Sequence, residues 1–346
     1  ILVGLVGSEM CIRDSLKNAL VMGGTRKMLT YVIRRILLLI PMLLTISFLV
    51  YTALELTPGD AVSALINPEL ASRLTEAQFY ELRESYGLNK SFITRYGIWL
   101  GNVMQGNFGH SLAGGVPIST IFLDRLPATL ELSLVALFFS TVLGCILGTY
   151  SALKRGSITD SSLTVIGMVG VSIPEFFFGL VALLIFALNL GWLPVGGRLL
   201  PGYETIWDRI PHIVMPAMVL SLMMTAGVMR YARSSMLDAL TRDFITTARS
   251  KGLPEWRINL LHGFRVALTP VVVLIGFRLP VLIGGSVIIE QVFQWPGLGN
   301  EFIGAVRGSD YPLVMMIALF SVFTVLMASL IIDVLTALID PRVRLS

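Results

Sequence analysis

The sequence predicts an all-α polytopic membrane protein with six spans, on three observations. Of its 346 residues 55% are hydrophobic and only 14% charged, and the mean hydropathy is +0.79. A soluble chain of this length needs more charge on its surface. Six apolar runs, 36–56, 130–153, 161–188, 212–232, 269–290 and 313–338, each reach the roughly 20 residues that cross about 30 Å of hydrocarbon as helix. Lysines and arginines cluster beside these runs, a pattern that orients a chain in a bilayer and does not suggest a nucleic-acid partner.

Residues 1–27 open with the apolar ILVGLVG, without a basic leader or a convincing cleavage site, and are expected to be a disordered, non-native extension. Met28, Tyr31 and the Arg34-Arg35 pair introduce the N-terminal segment 28–56 with the first span. Residues 57–128 are too polar for the bilayer yet patterned as helix, which predicts a helical cap on the extracytoplasmic side. Thr75 and Gln78 form a capping box, Leu74 and Phe79 a hydrophobic staple, and Gly87 a stop. The stretch from Ile93 to Met104, with Tyr96 and Trp99, suits the membrane interface. This cap reads either as a docking platform for an external partner or as a lid over the bundle.

Residues 129–346 form the predicted core, with spans two to six. Gly144, Gly148, Gly167, Gly170, Pro174, Gly284 and Gly285 lie inside its apolar runs, as membrane helices allow. The connection at 233–268 is basic and punctuated as helix, turn, helix. MLDALTRDFITTARSKG from Met236 reads as one helix, with Arg249 and Lys251 in its last turn and Gly252 at its stop. Pro254 suits the first turn of the next helix. Small residues on one face, Thr247 and Ala248, make a helix that another protein can grip; an ordinary surface helix is the alternative.

Thirteen lysines and arginines fall in the connections on the side of this loop and eight, set among acids, on the other, which places both termini in the cytoplasm. No GxxxxGK[ST], HExxH, GxSxG or CxxC occurs, His110, His212 and His262 are dispersed, and Cys11 and Cys145 stand in unrelated contexts. The chain is therefore read as non-catalytic, with no cofactor and no metal. Transport would draw its energy from a bound partner or an ion gradient. Ionisable residues at membrane depth bear on that choice: Glu55, Glu131, Glu290 and Asp333 fall near span ends, whereas Glu175 and Arg278 sit deeper and are candidates to line a pathway. A stand-alone, ion-coupled secondary transporter is the second reading, but the inverted repeats and matched midplane charges it requires are not found.

Several stretches together carry a resemblance. TTARSKGL (246–253) with LHGFRVALTP (261–270) resembles the EAA loop of ABC-transporter permeases in its peptide-transporter version. In order along the chain stand YVIRRILLLIP, TPGD, LRESYGLN, DRLPATLELS, SIPEFFFG, LGWLPVGG, EQVFQWPGLG, DYP and DPRVR, all similar to that family from Met28 onward. Thr247 replaces the acid that opens the EAA motif, Ala61 follows TPGD, Ser309 precedes DYP and Ser329 stands in the last span, which weakens inference about the solute.

The resemblance implies the type I ABC importer permease fold in a bacterial or archaeal cytoplasmic membrane. It implies a pathway shared with a second, homologous permease, two ABC ATPase subunits and an extracytoplasmic solute-binding protein. Thr247, Ala248, Arg249, Lys251 and Gly252 would couple to the ATPases. Peptides, nickel, glutathione or sugars are the solutes such importers take.

Overall fold

The computed structural model describes residues 33–53, 55–56, 75–85, 89–199 and 205–339. The extension 1–27, the TPGD motif, Leu74, Gly87 and the side chains of Phe79 and Asp333 lie outside the described residues, and with them the predicted staple and stop. Within the described residues all regular elements are helices. Five are long and apolar enough to cross a membrane, and a bent pair makes a sixth crossing if it counts as one.

The first span is α1 (Ile33–Ala53), followed by the short helices α2 (Glu76–Ser85) and α3 (Phe92–Met104). At the start of α2 the Thr75 backbone N–H donates to Gln78 Oε1 at 3.0 Å, one half of the predicted capping box. The Thr75 hydroxyl also donates to Gln78, at 3.0 Å. Helix α3 is held to α1 by rings: Phe48 and Tyr51 pack edge-on or tilted against Phe92, Tyr96 and Trp99, and Glu55 pairs with Arg95. Aromatic pairs of this geometry add to the gain from burial.

The second span, α4 (Ile118–Leu153), is 36 residues long and carries Pro127 inside it. It starts well before the predicted 130, so the expected boundary between cap and core at 128/129 falls inside a single helix. Its partner is α7 (Ile206–Leu240), the central helix, 78% of whose most apolar stretch is buried. The two lie in close contact because α4 offers glycine where α7 approaches. A Cβ on Gly144 would come within 2.6 Å of the Val228 side chain, and one on Gly148 within 2.5 Å of the Met229 carbonyl oxygen. Small residues of this kind let membrane helices gain van der Waals contact that lipid does not oppose. The opposite face of α4, with Phe138, Phe139 and Ile146, is exposed and apolar, as lipid or a partner span requires.

The third span differs from expectation. The run 161–188 reads as one helix, but the structure divides it into α5 (Ile158–Ser172) and α6 (Glu175–Ala182), the latter running into a π-helical turn at Leu183–Asn189, with a 96° bend between the two halves. The cause is Pro174, which pushes the preceding Ile173 out of the helical region to φ −92°, ψ 131° and has no N–H to donate. Composition alone shows the apolar run and hides the break.

The fourth connection carries α8 (Asp243–Ser250), after which α9 (Glu255–Arg257) runs through a π-helical turn at Ile258–Phe264 into α10 (Arg265–Gly285), the fifth span. The predicted helix from Met236 to Lys251 is in fact two: Met236 to Leu240 complete α7, and the chain breaks at Arg242, extended at φ −79°, ψ 151°. Beyond α10 come α11 (Val287–Val292), α12 (Leu298–Arg307) and the last span α13 (Tyr311–Ile339).

Candidate functional site

Helix α8 projects from the end of α7 and is terminated by a defined motif. Ser250 is its last residue, and Gly252 has φ +74°. The Gly252 N–H donates to the Arg249 carbonyl at 2.9 Å and the Leu253 N–H to the Ala248 carbonyl at 3.4 Å, the paired bonds of a Schellman stop. Leu253 then packs with Ile245, Ala248 and Ile258, the apolar contact that accompanies such a stop. Gly252 is thus required by the turn itself, since a left-handed conformation strains residues with a Cβ.

Ala248, expected on the gripping face, is turned inward and is 7% exposed. Its small side chain lets α8 lie close against Ile258. The outward face carries Phe244, Thr246, Thr247, Arg249 and Ser250, followed by Lys251. Thr247 and Ser250 return their hydroxyls to the carbonyls of Asp243 and Thr246, both at 3.0 Å. Arg249 reaches across the turn and donates Nε to Glu255 at 2.7 Å and a second N–H at 3.2 Å. That pairing raises the Arg249 pKa above its ordinary value.

A partly buried ion pair ties down the C-terminal part of α7, ahead of α8. Arg233 of α7 meets Asp160 of α5, which also accepts from the Ser151 hydroxyl of α4 and from the Gly156 N–H at 3.0 Å. At the other end of the core, Glu290 is fully buried. It accepts from Thr129 Oγ1 at 2.9 Å, Ser286 Oγ at 2.8 Å and the Asn300 N–H at 3.0 Å, in the first turn of α12. Trp295 Nε1 donates to the Ala128 carbonyl at 2.8 Å. A Cβ on Gly297 would strike both Glu290 and Thr129 at 2.5 Å, so EQVFQWPGLG and DRLPATLELS are two halves of one clasp. Asp310 of DYP similarly accepts from Ser111, from the Leu112 N–H at 2.9 Å and from the Leu313 N–H at 3.2 Å. These motifs hold the fold. The local sequence marks each motif but not the partner it bonds.

Of the charges expected at depth, Glu55 and Glu131 are paired, the latter accepting from Arg198 Nε at 2.8 Å. Glu175 is half-buried in the first turn of α6, and Arg278 is half-buried on α10 against Gly227 of α7. The structure does not join Glu175 to Arg278 by any bond. His212 is a buried structural residue with Nδ1 3.2 Å from the Gly196 carbonyl.

Residues 140–345 match the family described as binding-protein-dependent transport system inner membrane component. The chain belongs to that family. The oligopeptide transport system permease protein AppB of Bacillus subtilis (strain 168) is 41% identical over 319 residues, covering 92% of this chain and 100% of AppB. The dipeptide transport system permease protein DppB of Escherichia coli (strain K12) is 33% identical over 339 residues, 92% of this chain and 99% of DppB. The glutathione transport system permease protein GsiC of Escherichia coli O1:K1 / APEC is 34% identical over 319 residues, with 92% and 99% covered.

A solved structure of the MetNI methionine ABC transporter in inward-facing conformations matches with a TM-score of 0.50 at 19% identity, over 65% of this chain and 98% of that one. That likeness concerns the fold. The chain is a multi-pass permease subunit of an ABC importer in the bacterial inner membrane. It is non-catalytic, and ATP hydrolysis belongs to separate subunits. With the family established, the stand-alone, ion-coupled carrier has no support.

Proposed function

We propose that this permease forms half of a translocation pathway for peptides, delivered by an extracytoplasmic solute-binding protein and driven by two cytoplasmic ABC ATPases. The relatives named for oligopeptide and dipeptide transport support the solute class, since their likeness runs the length of the chain. A second, homologous permease supplies the other half. In this reading α8 and both termini are cytoplasmic, as the excess of lysine and arginine on that side favours. Residues 57–128 receive the binding protein, and Glu175 and Arg278 line the pathway.

The observation that carries the reading is the outward face of α8 on its Schellman stop. Thr247, Arg249, Lys251 and Gly252 form the coupling surface, and Ala248 supports it from beneath. ATP-driven closure of the ATPases would displace this short rigid helix and, through α7, swing the spans between two arrangements. A photo-cross-linking residue at position 247 should capture an ATPase subunit in cells, whereas one at buried position 248 should not. ATP-dependent peptide uptake in proteoliposomes should need both ATPases and the second permease. No capture from position 247, or gradient-driven uptake by this chain alone, would overturn the reading.

A further inference from the structure

Val271, Ile275, Arg278 and Leu282 recur at spacings of four, three and four and so share one face of α10. Val271 and Ile275 pack with Val228 of α7 and Cys145 of α4, and Leu282 joins the core formed with Ile213 and Met224, so this face points into the bundle. Arg278 stands within the apolar run 269–290, about 20 Å along the helix from Arg265 at 1.5 Å per residue. Its guanidinium lies on the bare backbone of Gly227, where any Cβ would collide with a terminal nitrogen. Glycine at that point of α7 leaves the room the cation occupies.

Among the described residues Arg278 makes no ion pair and no hydrogen bond. A cation at this depth is costly without a counter-charge, and cations that persist there face a partner or a passing ligand. The side chain is half-buried, so part of the guanidinium edge remains open. A planar fork of N–H donors matches a carboxylate in two bonds, and packing on Gly227 holds the fork in place before the ligand arrives.

We propose that Arg278 is a carboxylate-binding group of the pathway, which takes the anionic end of the solute as it passes, the C-terminal carboxylate when the solute is a peptide. This rests on the peptide-import reading above. A resident acid would neutralise Arg278 permanently, whereas a solute carboxylate neutralises it only during transport.

The test uses the whole complex in proteoliposomes with saturating binding protein. Uptake of a tripeptide with a free C-terminus is compared with uptake of its C-terminal amide, for wild type, Arg278→Gln and Arg278→Lys at equal amounts of assembled complex. The preference of the binding protein is common to all three and cancels when acid-to-amide ratios are compared. Arg278→Gln should lower the ratio on the order of tenfold, the worth of charge-assisted hydrogen bonds. Arg278→Lys, which keeps the charge and loses the fork, should give an intermediate ratio, and it carries the test if the Gln variant does not assemble.

An unchanged ratio overturns the inference. So does an equal fall for both peptides, the signature of a cation that pairs with the second permease. If wild type takes up neither peptide, the peptide reading fails and this inference with it; if wild type takes up peptides and the ratio ignores residue 278, this inference alone fails.

Discussion

Arg233 holds Asp160 in a two-bond fork, Nε to Oδ1 at 2.7 Å and a second N–H to Oδ2 at 2.8 Å. The fork joins α5 to the stretch of α7 that ends at Leu240, directly before the break that begins α8. Because Ser151 of α4 also donates to Asp160, three helices meet on one carboxylate. The junction ties the C-terminal part of α7 to α4 and α5 before α8 begins.

The two partners should not be equivalent on mutation. Asp160 has a side chain only 7% exposed, against 30% for Arg233. Arg233→Ala leaves a buried carboxylate without its counter-charge and should destabilise by about 3 kcal/mol or more. Asp160→Ala leaves a guanidinium that reaches water and should cost less. The double variant should recover part of the Arg233→Ala loss, because no orphaned charge remains. Thermal melting of the purified permease in detergent reads all three; equal and additive losses would show that the fork is not a coupled unit.

Close contact between α4 and α7 makes a second contrast. Gly148→Ala puts a Cβ 2.5 Å from the Met229 carbonyl oxygen and 2.8 Å from the Ala232 side chain, so one helix must move away. Gly170→Ala on α5 meets nothing within 4 Å. Overpacking of this kind costs roughly 1–3 kcal/mol. Gly148→Ala should lower melting and assembly with partner subunits, and Gly170→Ala should leave both near wild type or raise them slightly, since alanine favours helix. Indistinguishable variants would mean that the helices can separate at that point without loss.

The spans were legible because hydrocarbon thickness imposes one length on any helix that crosses it, and an apolar run as long as 313–338 exceeds what a soluble core helix needs. The end of α8 was legible for a local reason as well: Gly252, with Arg249 before it and Pro254 after it, specifies a stop within a few residues. What escaped was decided by groups far apart in sequence. Glu290 and Thr129 gave no sign that they bond each other, nor Asp310 that it would reach Ser111, because nothing in either local stretch names its partner. Pro174 was visible, but membrane helices tolerate proline often enough that a 96° bend does not follow from it. The inward turn of Ala248 depends on Ile258, ten residues on, and so on how the chain reverses.

The coupling surface proposed for α8 gives the last prediction. Gly252 has φ +74°, and a Cβ there would meet nothing within 4 Å in this chain. Asparagine and aspartate both tolerate that conformation better than other residues and have nearly the same shape. Gly252→Asn and Gly252→Asp should therefore carry a similar backbone penalty of about 1 kcal/mol or less, and the two isolated variants should melt together. They differ in one negative charge on an exposed turn. If an ATPase closes on this turn, Gly252→Asp should import peptide on the order of tenfold more slowly per ATP hydrolysed than Gly252→Asn, with the protein still in the membrane. Equal coupling ratios in proteoliposomes would remove Gly252 from the contact and leave it only its part in ending α8.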